Sequence, residues 1–254
     1  MTAREWDART YDRIADPMAR WGSAVLDRLP LGGSERVLDA GCGTGRVTEQ
    51  LLERLPTGHV IALDGSAAMI EAARERLAAV AGDRVTFVIA DLLDPLTIEP
   101  VEAILSTATF HWVTDHDVLF RNLAAVLRPG GRLVAQCGGA GNIAAVHAAA
   151  TDAGRAFGLD PAWEGPWRFA TPEETAARLA TAGFDEIATW LNPEPTTIEP
   201  GEPLETYLTT VILRTHLLRL AESDRRPFVQ AVADRIGDDP IDYVRLNIIA
   251  RRTA

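Results

Sequence analysis

Three glycines at alternate positions, Gly41, Gly43 and Gly45, end the segment "RVLDAGCGTG" and open a helical pattern. A glycine-rich turn between a strand and a helix brings unpaired backbone N–H groups close to a ligand. Three carboxylates accompany it. Asp39 lies inside the apolar strand two residues before Gly41, where an ionised group is costly without a donor or a cation. Asp64 ends the next strand, "HVIALD", where a carboxylate can accept hydrogen bonds from both hydroxyls of a ribose. Asp91 ends the third, in "VIADLLD". Carboxylates at three successive strand ends describe a nucleoside pocket that welcomes positive charge and repels a pyrophosphate. The third glycine comes one residue early for GxGxxG, and Arg46 stands in its place, which weakens a dinucleotide reading.

Positioning these groups requires strand and helix to alternate, and between residues 36 and 137 they do. Strands are predicted at "RVLDA", "HVIALD", "RVTFVIA", "VEAILST" and "GRLVAQC", with helices at 44–55, 66–81 and 115–128 and a turn at "RPGG" (128–131). That alternation predicts parallel βαβ units, with ligands beyond the carboxyl ends of the strands where the strand order reverses. Beyond residue 140 come an Ala-rich helix (142–157), a turn-rich stretch with Trp163, Trp167 and Phe169, and a helix capped by Thr171 and Pro172 and stopped by Gly183. Further helices are predicted at about 203–220 and 224–236, and late strands at 184–191 and 242–250.

The remaining candidates carry less specific signals. His111 follows the fourth strand across the switch point from the glycine turn, where a histidine can act as a base or orient a ligand. His216, beside Arg214 and Arg219, could face an acidic acceptor. Trp163 and Trp167 could close an apolar acceptor pocket, and Trp112 adjoins His111. Asp115, His116 and Asp117 look like ligands but suit a helix start, and no credible metal set is expected.

Composition excludes other classes. The formal net charge is −11, which opposes phosphate-backbone binding, so no nucleic acid is expected. The chain has no lysine, which rules out a Schiff base to pyridoxal phosphate and a P-loop lysine. Two cysteines, Cys42 and Cys137, a charged N-terminus and no run of 18 apolar residues suggest a cytoplasmic protein without a signal peptide or membrane span.

The motifs "VLDAGCGTG", "ALDGSAAMI", "ADLLD" and "LRPGGRL", in that order over residues 35–137, resemble those of the class I S-adenosylmethionine-dependent methyltransferases. The segment from Ser106 to Gly131 and the terminal "DYVRLNIIARR" are similar to the small-molecule group that includes the trans-aconitate methyltransferases. The resemblance implies a Rossmann-like α/β fold: a doubly wound seven-stranded sheet, mostly parallel, with an antiparallel last hairpin. It implies a single domain over 1–254, with a helical lid at 1–30, a cofactor core at 35–140, cap elements at 141–172 and 193–237, and the late strand pair. S-adenosylmethionine is the implied cofactor. The resemblance places Asp39 and the loop of Gly41, Cys42, Gly43, Thr44 and Gly45 at its amino acid part, and Asp64 with Gly65 at the ribose. Met69 and Leu92 would cover the adenine faces, Asp91 would meet the adenine amino group, Thr107 would be a further cofactor-binding residue, and Tyr11 and Trp21 would form the lid. His111, from its place after the fourth strand, is the candidate catalytic residue, and Trp112, Trp163, Trp167, Arg214 and His216 are expected on the acceptor side. The reaction implied is methyl transfer to a carboxylate or hydroxyl oxygen of a small molecule, with C-methylation or cofactor binding without transfer as alternatives, by a monomer or homodimer.

Overall fold

The computed structural model describes residues 16–163 and 165–254, with side chains from Trp21 onward; Tyr11 lies outside the described residues. Helix α1 (Asp16–Leu26) leads into β1 (Arg36–Ala40), α2 (Arg46–Arg54), β2 (His59–Asp64), α3 (Ala67–Leu77), β3 (Val85–Ile89) and β4 (Val101–Thr107). A 3₁₀ turn (Phe110–Trp112), α4 (His116–Val126) and β5 (Leu127–Gly138) complete the alternating half. Then follow α5 (Ala144–Gly154), α6 (Pro172–Thr181), β6 (Phe184–Pro193), α7 (Glu202–Tyr207), α8 (Arg214–Leu217), α9 (Glu222–Ile236) and β7 (Val244–Arg252).

The seven strands form one sheet in the order β3-β2-β1-β4-β5-β7-β6. Strands β1 to β5 pair in parallel, and β7 is antiparallel to both β5 and β6 between which it lies. The order reverses between β1 and β4, so the expected switch point lies beside the glycine turn. Both faces are covered. Leu38 and Ala40 of β1 join Phe120 and Leu123 of α4 on one face, while Val37 joins Leu26 of α1 and Leu51 of α2 on the other. Such two-sided burial explains why these strands read as continuous apolar runs. A further apolar cluster joins α5, α7 and α9 with Trp21 and Tyr243 over the carboxyl end of β5.

Local chemistry sets the boundaries. The Thr171 hydroxyl accepts the Glu174 N–H at 3.2 Å, and Pro172 opens α6. Asp115 caps α4 by accepting the N–H groups of Asp117 and Val118, each at 3.0 Å, so it serves as a helix cap. Among the described residues no group of three or more potential ligands could hold a metal ion, and no helix is long and apolar enough to cross a membrane.

Two expectations require correction. "RPGG" is not a turn before the strand: β5 begins at Leu127, and the register shifts between Val101 and Ala103 because Gly130, at φ 76°, lets the extra residues bulge within the ladder. The helix expected at 203–220 is broken into α7, a π-helical turn (Leu208–Ile212) and α8. The amino acid pattern there is helical throughout, and the break follows from packing four buried residues, Leu208, Val211, Ile212 and Leu213, in nearly consecutive positions against one cluster.

Candidate active site

The three glycines do different work. A Cβ on Gly41 would overlap Thr109 Oγ1 and Cγ2, and one on Gly45 would meet Ala73 Cβ at 3.2 Å and Leu77 Cδ1 at 3.3 Å. Among the described residues nothing stands within 4 Å of a Cβ on Gly43, although its φ is 54°. Two of the glycines therefore admit protein neighbours, and only Gly43 borders open space. The turn is held from β2: the Leu63 carbonyl accepts Gly41 N–H at 2.8 Å and Cys42 N–H at 2.9 Å.

Around that space the carboxylates gather at the switch point. Asp64 bridges the turn and the next helix, accepting Gly43 N–H at 3.0 Å through Oδ2 and Ser66 N–H at 2.9 Å through Oδ1. Gly65 lies between them at the bend, and the Ser66 hydroxyl caps α3 at the buried Met69 N–H, 3.3 Å away. Asp91 Oδ1 accepts Leu93 N–H at 2.9 Å, which bends the chain after β3 and seats buried Leu92 in the core. Thr44 is buried, and its carbonyl accepts Arg76 Nε–H at 2.9 Å. Burial pushes the Cys42 thiol up, and Cys137 up to about 12, so neither sulfur is a nucleophile at neutral pH.

Asp39 has the most informative environment. It is wholly buried, and Oδ2 accepts the Thr48 hydroxyl of α2 at 2.7 Å, while Oδ1 has no hydrogen-bond partner among the described residues. A buried oxygen that lacks a donor in an otherwise satisfied turn suits a cationic or N–H-bearing ligand. Burial pushes its carboxyl up to about 7, against the Thr48 hydrogen bond, with the charge of Asp64 adding to the rise. Because the folded value lies above the unfolded 3.8, the protonated form stabilises the fold: that contribution is complete below about pH 4 and is lost as pH rises through about 7. A ligand that presents positive charge to Asp39 favours the ionised form, so its affinity rises with pH, by up to about tenfold per unit below 7. Titration calorimetry at pH 6 and pH 8 measures this, with Asp39→Asn as control; equal pH dependence in the variant would refute it.

On the far side of the switch point, Thr107 ends β4, and Ala108 follows at φ 56°, a strained conformation for a residue with a Cβ. That bend carries Thr109 over the glycine turn, where its hydroxyl contacts the Gly41 and Thr107 carbonyls at 3.3 and 3.0 Å. His111 follows in the 3₁₀ turn, buried, with Nδ1 accepting the Gly138 N–H of β5 at 3.2 Å and its ring stacked on Phe169 at 6.0 Å. A backbone N–H can only donate, so Nδ1 bears no proton, and the ring proton of the neutral imidazole sits on Nε2.

A cavity beyond His111 is lined by Trp112, Asn142, Trp167, Tyr243 and Arg245, among others. Several acceptor-side expectations are met differently. Trp112 and Trp167 line it, their rings 5.8 Å apart, whereas Trp163 packs at 4.6 Å against His216, under Arg219 at 4.3 Å. His216 is buried in α8, its pKa pushed down to about 4 by burial and by the charges of His147 and Arg219, so at neutral pH it carries no charge for an acidic acceptor. Arg214 is half-buried and does not line the cavity. The cation in the wall is Arg245, which the sequence reading missed; a charge inside the apolar strand "YVRLNIIA" is the signal that singled out Asp39 and applied here too. The Trp21 ring lies 4.5 Å from the Arg245 guanidinium and 5.1 Å from the Tyr243 ring, while the next residue of α1, Gly22, faces Val47 and Thr107.

The family described as a methyltransferase domain matches residues 37–131. The trans-aconitate 2-methyltransferase of Methylobacterium nodulans is 31% identical over 77% of this chain and 70% of that protein, and that of Paracidovorax citrulli is 28% identical over 98% and 99%. For the Azoarcus protein of the same name the figure is 37%, with the matched stretch spanning half the length of that relative. A Haemonchus contortus phosphoethanolamine N-methyltransferase 2 bound to S-adenosyl-L-methionine superposes with a TM-score of 0.64 at 20% identity, over 97% of this chain and 57% of that one. The open space at Gly43, the orphaned Asp39 oxygen and the Asp64 carboxylate fit an S-adenosylmethionine cofactor, and by its relatives the chain belongs to the class I S-adenosylmethionine-dependent methyltransferases, with S-adenosylmethionine as its cofactor.

Proposed function

We propose that this chain methylates a carboxylate oxygen of a small acidic molecule to form a methyl ester. One observation carries the choice among acceptors: His111 is committed as a hydrogen-bond donor at Nε2, and no Asp or Glu lines the cavity among the described residues. A phenol, alcohol or activated carbon needs a base, whose removal typically costs about 10²–10⁴-fold; a carboxylate at pH 7 is already ionised. S-adenosylmethionine, when bound, supplies a methyl carbon whose transfer to a carboxylate oxygen forms the ester and leaves the carbon–sulfur electron pair on sulfur, with no proton to move. The protein's part is to orient and to exclude water. The glycine turn and Asp64 hold the donor, the Trp112 and Trp167 rings wall off solvent, and His111 Nε2–H steadies the acceptor. The names of the trans-aconitate 2-methyltransferase relatives support the same acceptor chemistry.

Labelled-methyl transfer to a panel of small acids and matched alcohols, followed by ester-specific hydrolysis, tests the proposal. Ester products support it. Binding without transfer points to a protein that holds the cofactor without methyl transfer, since a fold does not by itself fix the reaction. His111→Gln is expected to lower kcat for ester formation by about tenfold or less and to leave its pH profile unchanged. A loss of about 100-fold or more with a new acid limb would show that the imidazole moves a proton.

A further inference from the structure

Asn142 lies in the bend between β5 and α5 and lines the cavity with His111, although it is only 5% exposed. The bend is stitched to the chain entering β7. The Val244 carbonyl accepts Gly139 N–H and the Asp242 carbonyl accepts Ile143 N–H, each at 3.0 Å, and Asp242 Oδ2 accepts Ala145 N–H at 2.9 Å. Within that frame Asn142 Oδ1 accepts the Val244 N–H at 3.0 Å. A backbone N–H can only donate, so the oxygen takes that end of the amide and the NH2 group takes the other. Nδ2 finds no acceptor among the described residues, yet it is not sealed in protein: it lies beside Gly138, 2.9 Å from where a Cβ there would stand. The Phe169 ring edge crowds the same point, and the Gly138 N–H holds His111. A buried amide, oriented by its oxygen, thus offers a spare donor to the cavity.

Its place decides which atom it serves. β5 is the strand next to β4, and Gly138 at its end is one hydrogen bond from His111, so Asn142 stands beside the bend that closes the switch point. A carboxylate has two oxygens: the reacting one must keep a lone pair directed at the methyl carbon, and the other is left to be held. A neutral N–H suits the held oxygen. The charge of the carboxylate is lost as the ester forms, so a cation bound there would favour the ground state over the transition state. The NH2 end also has hydrogens and no available lone pair, so it turns away a protonated amine. We propose that Asn142 is an acceptor-binding residue whose Nδ2–H donates to the non-reacting oxygen of the carboxylate being methylated, the oxygen that becomes the ester carbonyl. This rests on the ester-forming function proposed above.

Steady-state kinetics on the full chain test the donor in Asn142→Ala and Asn142→Asp, with aliphatic and aromatic carboxylic acids as acceptors and the primary amide of each as an inhibitor. Asn142→Ala is expected to raise the KM of the acid by about 10- to 100-fold, the size of a lost hydrogen bond to a charged group, with kcat within about threefold. Asn142→Asp keeps an oxygen for the Val244 N–H but sets a like charge against the acid. Its KM should rise further, and the primary amide, whose N–H the new carboxylate can accept, should inhibit it more tightly than wild type. A residue that only holds the bend predicts the reverse order, with Asn142→Asp near wild type and selectivity unchanged. S-adenosylhomocysteine affinity and melting temperature serve as controls for folding. A KM within about threefold of wild type in Asn142→Ala, or an Asn142→Asp that keeps the wild-type selectivity, overturns the proposal and leaves the ester-forming reading standing. If one variant does not fold, the other decides. If no acid is methylated, calorimetry of the same acids with S-adenosylhomocysteine-loaded protein separates the two ideas: binding lost in Asn142→Asp supports the donor while the ester-forming reading fails, and unchanged or absent binding overturns the donor.

Discussion

Asp64→Ala is expected to weaken S-adenosylhomocysteine binding by about 100-fold or more. The carboxylate stands at the carboxyl end of β2 beside the open space at Gly43 and accepts the Gly43 and Ser66 N–H groups. In the role the motif implies, it also receives two ribose hydroxyls, and each hydrogen bond to a charged group is worth about 1.5–3 kcal/mol. The sum of about 3–6 kcal/mol corresponds to at least about 100-fold at 1.4 kcal/mol per decade. The variant also frees the glycine turn from its tether to α3, so the loss exceeds that of the ribose contacts alone. Isothermal titration against wild type measures the change, with circular dichroism as a check on folding. Asp64→Asn keeps the shape and one acceptor and should fall between the two. An affinity within about threefold of wild type in Asp64→Ala would remove the carboxylate from the cofactor site.

The second large effect is on the fold and separates the glycines. Gly41→Ala would place a left-handed residue, φ 85°, with its Cβ 2.7 Å from Thr109 Cβ and overlapping the rest of that side chain. The conformation costs about 1–2 kcal/mol and overpacking about 1–3 kcal/mol more. A combined loss of about 2–5 kcal/mol lowers the melting temperature by about 5–15 °C in a chain of this size. Gly43→Ala meets no neighbour among the described residues, so it should lose only the conformational cost of about 1–2 kcal/mol while its methyl group enters the open space proposed for the cofactor. The two variants should thus fail in opposite assays, one in a thermal melt and the other in a binding titration. The Gly41→Ala, Thr109→Gly double variant should recover the overlap cost but keep the conformational one. Equal melting temperatures for Gly41→Ala and wild type would refute the packing account.

The division of labour among the glycines marks the limit of what a motif reveals. Spacing identifies a turn that excludes side chains, yet it does not say whether a ligand or a neighbouring side chain requires the exclusion. Thr109, which crowds Gly41, is 68 residues away in the chain and arrives only because Ala108 takes a strained bend at the end of β4. His111 is similar. Its place after the fourth strand was legible, but the state of its ring depends on one N–H of β5.

The cap was least legible. Its helices are amphipathic enough to predict, but which of its arginines and histidines face a ligand depends on how α7 to α9 pack. Arg219 stacks on Trp163, and His216 is stripped of charge by burial. A cation that faces the cavity comes instead from β7.

Local and short-range features were therefore settled by the amino acid order: the alternating strands and helices, the Thr171 and Asp115 caps, the glycine turn and the three strand-end carboxylates. Each depends on hydrophobic periodicity or on backbone groups within a few residues. The strand order, the partners of Asp39, the tautomer of His111 and the meeting of Arg245 with Trp21 were decided only by the tertiary structure, since they join residues 9 to 224 positions apart. Burial and charge at such contacts depend on what the rest of the fold brings alongside, and no local pattern encodes that.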